Sequence, residues 1–474
     1  MTNTIADTRI SFMQKMAFGS GHLVNNLFPG ALGVFSFFLL TTFGIDPFLA
    51  GLLGGIPRIY DAITDPIMGY ISDNTNSKWG RRRPYILIGA ITSGILFALL
   101  WQLYAENSET YNFWYFMIFS LLFLTGNTIY STPLIALGYE MTSDYNERTK
   151  LMGFSQTVSQ LAWMIVPWLW VIIADPDLYP NQAVAIRNLS IWVGAACLLL
   201  GALPAIYCRE LHHESITNRD TITLKNLINN MKGLWSNMRM IANNAPFIKL
   251  CMATFLVFNG FQMVASFSFF IIVYYLFNGS FEHAGNWPAW FSTISAIATA
   301  FLIIPIITWM SKKWGKRSAF IISTSLSIIG YILKWWGFNP DNIWMIFIPI
   351  PFISFGLGGL FTLMMSMTAD VCDLDELTNG MPRKEGTYGA IYWWMVKLGQ
   401  GLALVLGGLV LKLIGFEGGA AIQTPETITN LRLADIIIPS LTAGIAIIVM
   451  WNYDLDEVKA HAIKAELIQR RGKL

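Results

Sequence analysis

The chain has 474 residues, of which 54% are hydrophobic and only 13% are charged, and its mean hydropathy is +0.50. A soluble protein would carry about 25% charged residues, so this composition excludes a soluble globular domain and indicates an integral membrane protein. The net charge of +2 does not indicate a nucleic-acid partner, because the basic residues form short clusters between apolar segments. The cysteines show no metal-ligand spacing, and we expect neither disulfides nor a cofactor.

Apolar runs long enough to cross a bilayer as helices follow one another along the chain. In order, about twelve spans are predicted: 13–42, 48–72, 85–104, 112–141, 151–174, 188–207, 247–277, 288–310, 319–337, 343–369, 387–414 and 433–452. We therefore predict an all-α membrane protein in four parts. They are a six-helix half (1–207), a central cytoplasmic loop (208–246), a second six-helix half (247–452) and a cytoplasmic tail (453–474).

Basic residues cluster in the loops on one side of the predicted membrane. Those after the second and eighth spans are Lys78, Arg81, Arg82, Arg83, Lys312, Lys313, Lys316 and Arg317. Connections on the other side, such as 105–111 and 278–287, contain no lysine or arginine. By the positive-inside rule, both termini are predicted to be cytoplasmic, in a multi-pass protein of the cytoplasmic (inner) membrane.

The basic motif also occurs twice. Ser77-Lys-Trp-Gly-Arg-Arg is matched 235 positions later by Lys312-Lys-Trp-Gly-Lys-Arg. Each copy follows the second span of its half, so the repeat predicts two six-helix halves in parallel arrangement. This is the plan of major-facilitator transporters, in which the substrate site lies between the halves at the membrane midplane.

The second span carries charges inside the membrane. At about 100° per residue, Arg58, Asp61 and Asp65 fall on one helical face, with Thr64 at its edge. An ionised aspartate near the bilayer centre costs about 2.5–3.5 kcal/mol, so a positive charge must accompany the pair. Arg58 could supply it as a structural clamp. The interpretation that we favour is a coupling-cation site for Na⁺ or a shared proton at Asp61, Thr64 and Asp65.

Three motifs carry a resemblance to a known family: Asp61-Ala-Ile-Thr64-Asp65-Pro66-Ile-Met-Gly69, Lys78-Trp-Gly-Arg81 and Arg383-Lys-Glu385-Gly386. With them the chain resembles the glycoside–pentoside–hexuronide:cation symporter family. The resemblance implies uptake of a sugar or glycoside, coupled to Na⁺ or H⁺ by alternating access. The family's cation-site carboxylates map onto Asp61 and Asp65. Its intervening Asn is Thr64 here, so the choice between Na⁺ and H⁺ stays open.

The resemblance breaks down at the sugar site. Where relatives in the family have a Lys-Asp pair in the first helix and an Asp in the fourth, this chain has Ser20-Gly21 and Ser131. The lysine of the eleventh helix does match, as Lys397. Loss of the acids while Lys397 and Arg58 remain makes the cavity more positive, which favours an acidic saccharide such as a uronide. A neutral glycoside stays open.

Polar and aromatic side chains inside the spans are further candidates to line the substrate site, because side-chain amides can order sugar hydroxyls and aromatic rings can stack on sugar faces. With the charged residues, the predicted set is His22, Asn25, Asn26, Arg58, Ser131, Gln156, Gln160, Asn259, Gln262, Tyr392, Trp393 and Lys397. The alternative for each amide is a hydrogen bond to a neighbouring helix.

The basic loops have a second predicted role as a cytoplasmic gate. The gate residues are Lys78, Arg81, Arg82, Arg83, Asp370, Asp373, Arg383 and Glu385. The acids expected to pair with the first loop are Asp73, Glu140, Asp144 and Glu147. Such pairs would latch the outward-facing state and break on opening, whereas the alternative is that the positive charges set orientation alone.

Rival functions remain at this point. A membrane-embedded enzyme would need a metal cluster or an activated nucleophile, and the sequence shows no such constellation. A major-facilitator transporter of an amphipathic lipid or drug could carry the same cation site, and a channel is disfavoured by the repeat. The predicted partners are a small saccharide, the coupling cation and the lipid bilayer, with the protein acting as a monomer.

Overall fold

The computed structural model describes residues 10–471 apart from 143–144, 211–221, 224, 230, 234–243, 380–384, 419 and 456. Its long helices are α1 (Phe12–Thr41), α2 (Pro47–Asn74), α3 (Arg83–Leu100), α4 (Glu109–Glu140), α5 (Tyr145–Ile165), α6 (Gln182–Tyr207), α7 (Ala245–Phe270), α8 (Trp287–Ile297), α9 (Lys316–Gly337), α10 (Ile350–Asn379), α11 (Glu385–Leu413), α12 (Pro425–Trp451) and α13 (Glu457–Arg471).

Shorter helical segments extend several of these. Trp168–Ala174 follows α5, a π-helical turn over Ile271–Leu276 continues α7, and Ile343–Phe347 precedes α10 as a 3₁₀ helix. A π-helical turn at Ala298–Ile303 and the helix Ile304–Trp314 prolong α8. Each predicted span therefore coincides with one helix or with consecutive helical segments.

Eleven helical stretches of the described chain are long and apolar enough to cross a membrane by length and composition. The helix α2 is not among them, since its charged residues lower its hydropathy. The all-α membrane fold predicted from the sequence is confirmed.

The chain divides into two compact units, Met1–Met231 and Lys232–Leu474. In the first unit, α3 packs against α4 and α6, α1 against α5 and α6, and α2 against α4. Small residues allow these close approaches, as is usual between membrane helices. A Cβ atom at Gly94 of α3 would lie 2.7 Å from the carbonyl oxygen of Gly194 in α6.

In the second unit, α7 packs against α10, α11 and α12, and α9 packs against α10 and α12. The tail helix α13 also belongs to this unit, because Ile463 and Leu467 are buried in its apolar core next to α10.

The glycine of each Trp-Gly motif has a positive φ angle. Gly80 has φ +103° and Gly315 has φ +79°, a backbone region that residues with a Cβ atom rarely occupy. Gly80 lies between α2 and α3, and Gly315 joins Ile304–Trp314 to α9. The repeated sequence therefore places a glycine with positive φ after the second span of each half.

Candidate functional site

The helix α2 begins at a capped terminus and presents its charges to α4. The carboxylate of Asp46 accepts hydrogen bonds from the N–H groups of Phe48 and Leu49, and Pro47 occupies the first turn, where no N–H is needed. Hydroxyl-bearing residues of α4 then follow the polar face of α2.

Asp61 is the most enclosed of the charged residues of α2, with 4% of its surface exposed. The hydroxyl of Thr128, in α4, donates a hydrogen bond of 2.9 Å to its Oδ1 atom. The hydroxyl of Thr64 lies 3.3 Å from that of Thr128 and donates to the backbone carbonyl of Asp61 at 3.2 Å. The oxygen-bearing side chains of Asp61, Thr64 and Thr128 therefore lie close together.

Two further contacts extend this line of polar groups along α2 and α4. Thr132 Oγ1 donates to Asp65 Oδ1 at 3.4 Å, and the hydroxyls of Tyr60 and Thr125 are 2.9 Å apart. Asp65 is half-buried. The two carboxylates, one turn apart on α2, therefore each contact one threonine of α4.

Arg58 does not clamp the carboxylates. It makes no ion pair with any residue that the structure describes. Arg58 is half-buried, and the negative charges of Asp61 and Asp65 nevertheless act on its guanidinium. A nearby cation that is not bonded to the pair offsets part of the repulsion and leaves the carboxylate oxygens accessible to hydroxyl groups.

The substrate candidates of the first unit differ in exposure. His22, Asn25, Asn26 and Ser131 are half-buried, whereas Gln156 and Gln160 of α5 are both exposed. The ring of His22 meets that of Phe18 edge-on at 4.6 Å, and its buried Nε2 atom has no hydrogen-bond partner in the described structure.

The substituted positions of α1 are filled by helix packing. The hydroxyl of Ser20 donates to the carbonyl of Leu200 in α6, and the carbonyl of Gly21 accepts from the Tyr130 hydroxyl. A Cβ atom at Gly21 would lie 2.7 Å from Pro204. No larger side chain fits at this position without displacement of α6. The replacement of the family's acid by glycine therefore allows α1 and α6 to approach each other closely.

In the second unit, two candidates are packing residues. Asn259 is buried and donates to the carbonyl of Gly399 in α11 at 3.2 Å. Tyr392 is fully buried in the apolar core, so it does not line an open surface in this structure. The physical reason is helical phase, since Tyr392 shares its face of α11 with the buried Tyr388 and Val396.

The neighbouring face of α11 holds the more accessible candidates. Trp393 is 45% exposed and stacks on Phe361 with ring centroids 6.2 Å apart, and Lys397 is half-buried one turn further on. Gln262 of α7 is also half-buried, and its backbone carbonyl accepts from Ser266.

The basic loop of the first unit forms a compact ion-pair network. Arg81 and Arg82 both pair with Glu140 at the end of α4, and Arg82 also pairs with Asp73 at 2.8 Å. The guanidinium of Arg83 instead donates to two carbonyls at the end of α6, while Lys78 is exposed and makes no ion pair with a described residue.

One acid in this network was not predicted. The carboxylate of Glu210 accepts hydrogen bonds from the backbone N–H groups of Arg81, Arg82 and Arg83 at 2.9–3.2 Å. An acid at the start of a helix is favourable because the N–H groups there lack helical partners.

The expected pairing of Glu147 with the basic loop is wrong. Glu147 pairs with Lys15 and Lys150, whose hydrogen bonds lower its pKa to about 2. Lys150 lies three residues further along α5, on the same helical face as Glu147, so its ammonium lies nearer to the carboxylate than the basic loop does. Asp144 lies outside the described residues.

The second unit repeats part of this network. Lys316, which matches Arg81 in the repeat, pairs with Asp370 of α10 at 2.5 Å. Asp373 is half-buried on the same helix. Arg383 lies outside the described residues, and Glu385 is the first residue of α11, with a side chain that the structure does not describe.

A buried ion pair in the second unit was also missed. Lys334 of α9 and Asp435 of α12 pair directly, and each has at most 2% of its surface exposed. Both lie inside predicted spans, where an ionisable residue is a signal in its own right. The threonines of α4 carried a weaker signal, a spacing of three and four residues between Thr125, Thr128 and Thr132.

Eleven apolar, membrane-length stretches among the described residues are typical of a multi-pass membrane protein, and a carboxylate pair in the second span is the kind of intramembrane charge that usually has a function. The chain belongs to the MFS/sugar transport protein family, whose model matches residues 17–457. This confirms the predicted resemblance at the level of the family and assigns the protein to transporters and not to enzymes.

Two relatives align with nearly the whole chain. One is the "Glucuronide carrier protein homolog" of Escherichia coli (strain K12), 23% identical over 479 residues, which cover 98% of this chain and 97% of the relative. The other is the "Sodium-dependent lysophosphatidylcholine symporter 1" of Gallus gallus, 22% identical over 498 residues, which cover 97% of this chain and 89% of the relative.

A solved structure is similar in fold. The crystal structure of a bacterial homologue of the human lysosomal transporter Spinster, in an inward-facing and occupied conformation, superimposes with a TM-score of 0.68. The sequences are 15% identical, and the match covers 94% of this chain and 97% of the other. The likeness confirms the major-facilitator fold.

Proposed function

We propose that the protein is a symporter that imports a saccharide together with Na⁺ or H⁺ by alternating access. The observation that carries the proposal is the carboxylate pair Asp61 and Asp65, which contacts hydroxyls of α4 and is not locked to Arg58. Thr64 and Thr128 would complete the cation site with Asp61.

The coupling follows from electrostatics. Two carboxylates at i and i+4 repel each other, and a bound cation removes that repulsion and draws α2 towards α4. A cation that binds one conformation better than the other shifts the population towards it, which is the requirement for coupling. If the ion is a proton, it neutralises one member of a coupled pair of acids.

The substrate that we favour is an acidic saccharide such as a uronide. The family's acid positions are filled by Ser20, Gly21 and Ser131, while Arg58 and Lys397 retain their positive charges. A guanidinium or ammonium group would form a charge-assisted bond to the substrate's carboxylate. The glucuronide named for the Escherichia coli relative supports this choice, and a neutral glycoside is the alternative within the same class.

Among the other candidates, His22 and Trp393 have the best placement for contact with a sugar. His22 presents a ring nitrogen without a described partner, and Trp393 offers an exposed aromatic face. We also propose Asn25, Asn26, Gln156, Gln160 and Gln262 as hydroxyl-ordering groups.

A second candidate function is transport of an amphipathic lipid. It is favoured by one finding, the similarity to the sodium-dependent lysophosphatidylcholine symporter of Gallus gallus. The same cation site would serve both substrates, so the substrate panel below includes a lysophospholipid.

The remaining parts of the proposal concern location and gating. We propose a monomer in the cytoplasmic membrane with both termini inside, and with the networks around Glu140 and Asp370 as cytoplasmic gates. Their ion pairs would have to break when the cytoplasmic side opens.

The test is counterflow in proteoliposomes with neutral saccharides, uronides and a lysophospholipid, each with and without Na⁺ and over a range of pH. We expect a uronide to exchange fastest and a cation gradient to drive its accumulation. Accumulation of neutral sugars alone would refute the uronide, and accumulation of the lysophospholipid alone would favour the second candidate.

The coupling site is tested by Asp65→Cys. We expect this variant to lose concentrative uptake while it retains some substrate binding, because only the cation site has changed. Asp177→Cys, the same change at an exposed loop residue, is the matched control. Full concentrative uptake by the Asp65 variant would remove the coupling role from this carboxylate.

A further inference from the structure

Two threonines of α4 that face α2, Thr128 and Thr132, use their hydroxyls in an unusual way, whereas Thr125 on the same helix donates to the carbonyl of Leu121. Most hydroxyls in the described spans donate to a carbonyl three or four residues earlier on their own helix, as Thr92 and Thr157 do. This is the default for serine and threonine in a membrane helix, where no water is present. Thr132 has no such bond in the described structure, and its hydroxyl donates to Asp65 instead.

Thr132 thus repeats at the second carboxylate what Thr128 does at the first. Thr128 and Thr132 are four residues apart on α4, as Asp61 and Asp65 are on α2, so the two helices meet in register. Neither the carboxylate motif nor the resemblance assigned a role to Thr132.

The chemistry of a hydroxyl here distinguishes two coupling ions. A proton needs only one carboxylate oxygen, and it gains nothing from additional oxygen ligands. A metal ion gains from each hard oxygen atom and needs both carboxylates ionised, and a hydroxyl that donates to a carboxylate favours the ionised form. A threonine hydroxyl can also turn a lone pair towards the ion once the ion has bound.

We propose that Thr132 is a specificity-determining residue that adapts the site of Asp61, Thr64, Asp65 and Thr128 to Na⁺ and not to H⁺. The hydroxyl of Thr132 orients Asp65 and supplies a further oxygen, which offsets the replacement of the family's Asn by Thr64. The inference rests on the proposed cation symport and goes beyond it by naming the ion and the residue that selects it.

The experiment is Na⁺-dependent uptake of the best substrate from the counterflow panel into proteoliposomes, at fixed pH, with choline chloride replacing NaCl. For Thr132→Val we expect the Na⁺ concentration for half-maximal uptake to rise about three- to tenfold, the effect of one lost hydrogen bond. The half-saturating substrate concentration at saturating Na⁺ should stay within twofold, since the hydroxyl acts on the ion.

Two variants separate the hydroxyl from packing. Thr132→Ser keeps the hydroxyl and should stay within twofold of the unmodified protein. Thr125→Val is the matched control, because Thr125 is on the same helix and faces α2 but contacts Tyr60 in place of a carboxylate. If Thr132→Val is expressed poorly, Thr132→Ala replaces it. Comparison of the Na⁺ dependence of Thr132→Ala with that of Thr132→Ser again isolates the effect of the hydroxyl.

Several outcomes would overturn the inference. Uptake that is driven by a pH gradient and indifferent to Na⁺ would refute it, while the proposed symport would stand. Equal Na⁺ dependence in Thr132→Val and the unmodified protein, or an equal shift in Thr125→Val, would refute it as well. Concentrative uptake that survives Asp65→Cys would instead refute the proposed function.

Discussion

The ion pair of Lys334 and Asp435 allows a quantitative test of the packing of the second unit. Both side chains are about 1% exposed, and the ammonium of Lys334 also donates a hydrogen bond of 3.0 Å to the Ser268 hydroxyl. Removal of one partner leaves the other charge buried and uncompensated, which costs about 3–5 kcal/mol. Lys334→Met and Asp435→Asn are the two perturbations.

The expected shift in melting temperature follows from the size of the unit. An unfolding entropy of about 2.1 cal/mol/K per residue gives roughly 0.5 kcal/mol/K for a unit of about 240 residues. A loss of 3–5 kcal/mol should therefore lower the midpoint by about 6–10 °C. The double variant should lose less than the sum of the two singles, because no isolated charge remains.

The four buried cysteines provide the assay, since a maleimide fluorophore reacts with them only as the purified protein unfolds. Lys249→Met is the control, because its ion pair with Asp454 lies at the surface, where water screens the charges and such pairs stabilise little. Single variants that melt within 1–2 °C of this control, or a double variant that loses the full sum, would refute the reasoning.

Two further predictions concern the glycines of the two Trp-Gly motifs and the end of α6. Gly80→Ala and Gly315→Ala should each cost about 1–3 kcal/mol, because both glycines have positive φ. The loss should be larger at Gly80, where a Cβ atom would lie 2.6 Å from the Glu210 carboxylate. Gly33→Ala is the control, because the space around its Cβ position is open. Equal melting midpoints for all three variants would contradict this prediction. Burial raises the pKa of Cys208 to about 12, so at pH 8 its thiol stays protonated and N-ethylmaleimide should modify it only after denaturation. Peptide mass spectrometry measures this, and rapid modification of the native protein would show that the site is open.

The sequence predicts the spans well, because length and hydropathy act along a single helix. Each of the twelve predicted spans coincides with helical segments of the structure. The conformation of the Trp-Gly turns was less accessible, since a positive φ follows from the geometry of both flanking helices. The repeat nevertheless marked the two positions where it occurs.

Contacts between helices were harder to predict. The charges of Lys334 and Asp435 are plain in the sequence, but they lie a hundred positions apart, and their pairing depends on how α9 packs against α12. Which side chains of α11 are buried also depends on how that helix is rotated against its neighbours. The buried Tyr392 and the exposed Trp393 are consecutive residues, and the sequence pattern around them did not distinguish the two faces.

The polar character of α2 has a consequence for how the protein is made. Insertion of a nascent helix into the bilayer is driven by its own apolar side chains. Among the described helices that correspond to predicted spans, α2 is the one that is not apolar enough to cross a membrane by composition alone. Its carboxylates are hydrogen-bonded by Thr128 and Thr132, which the ribosome adds more than sixty residues later. We therefore expect α2 to be less stable in the bilayer by itself than beside α4, so its insertion should depend on the later helix.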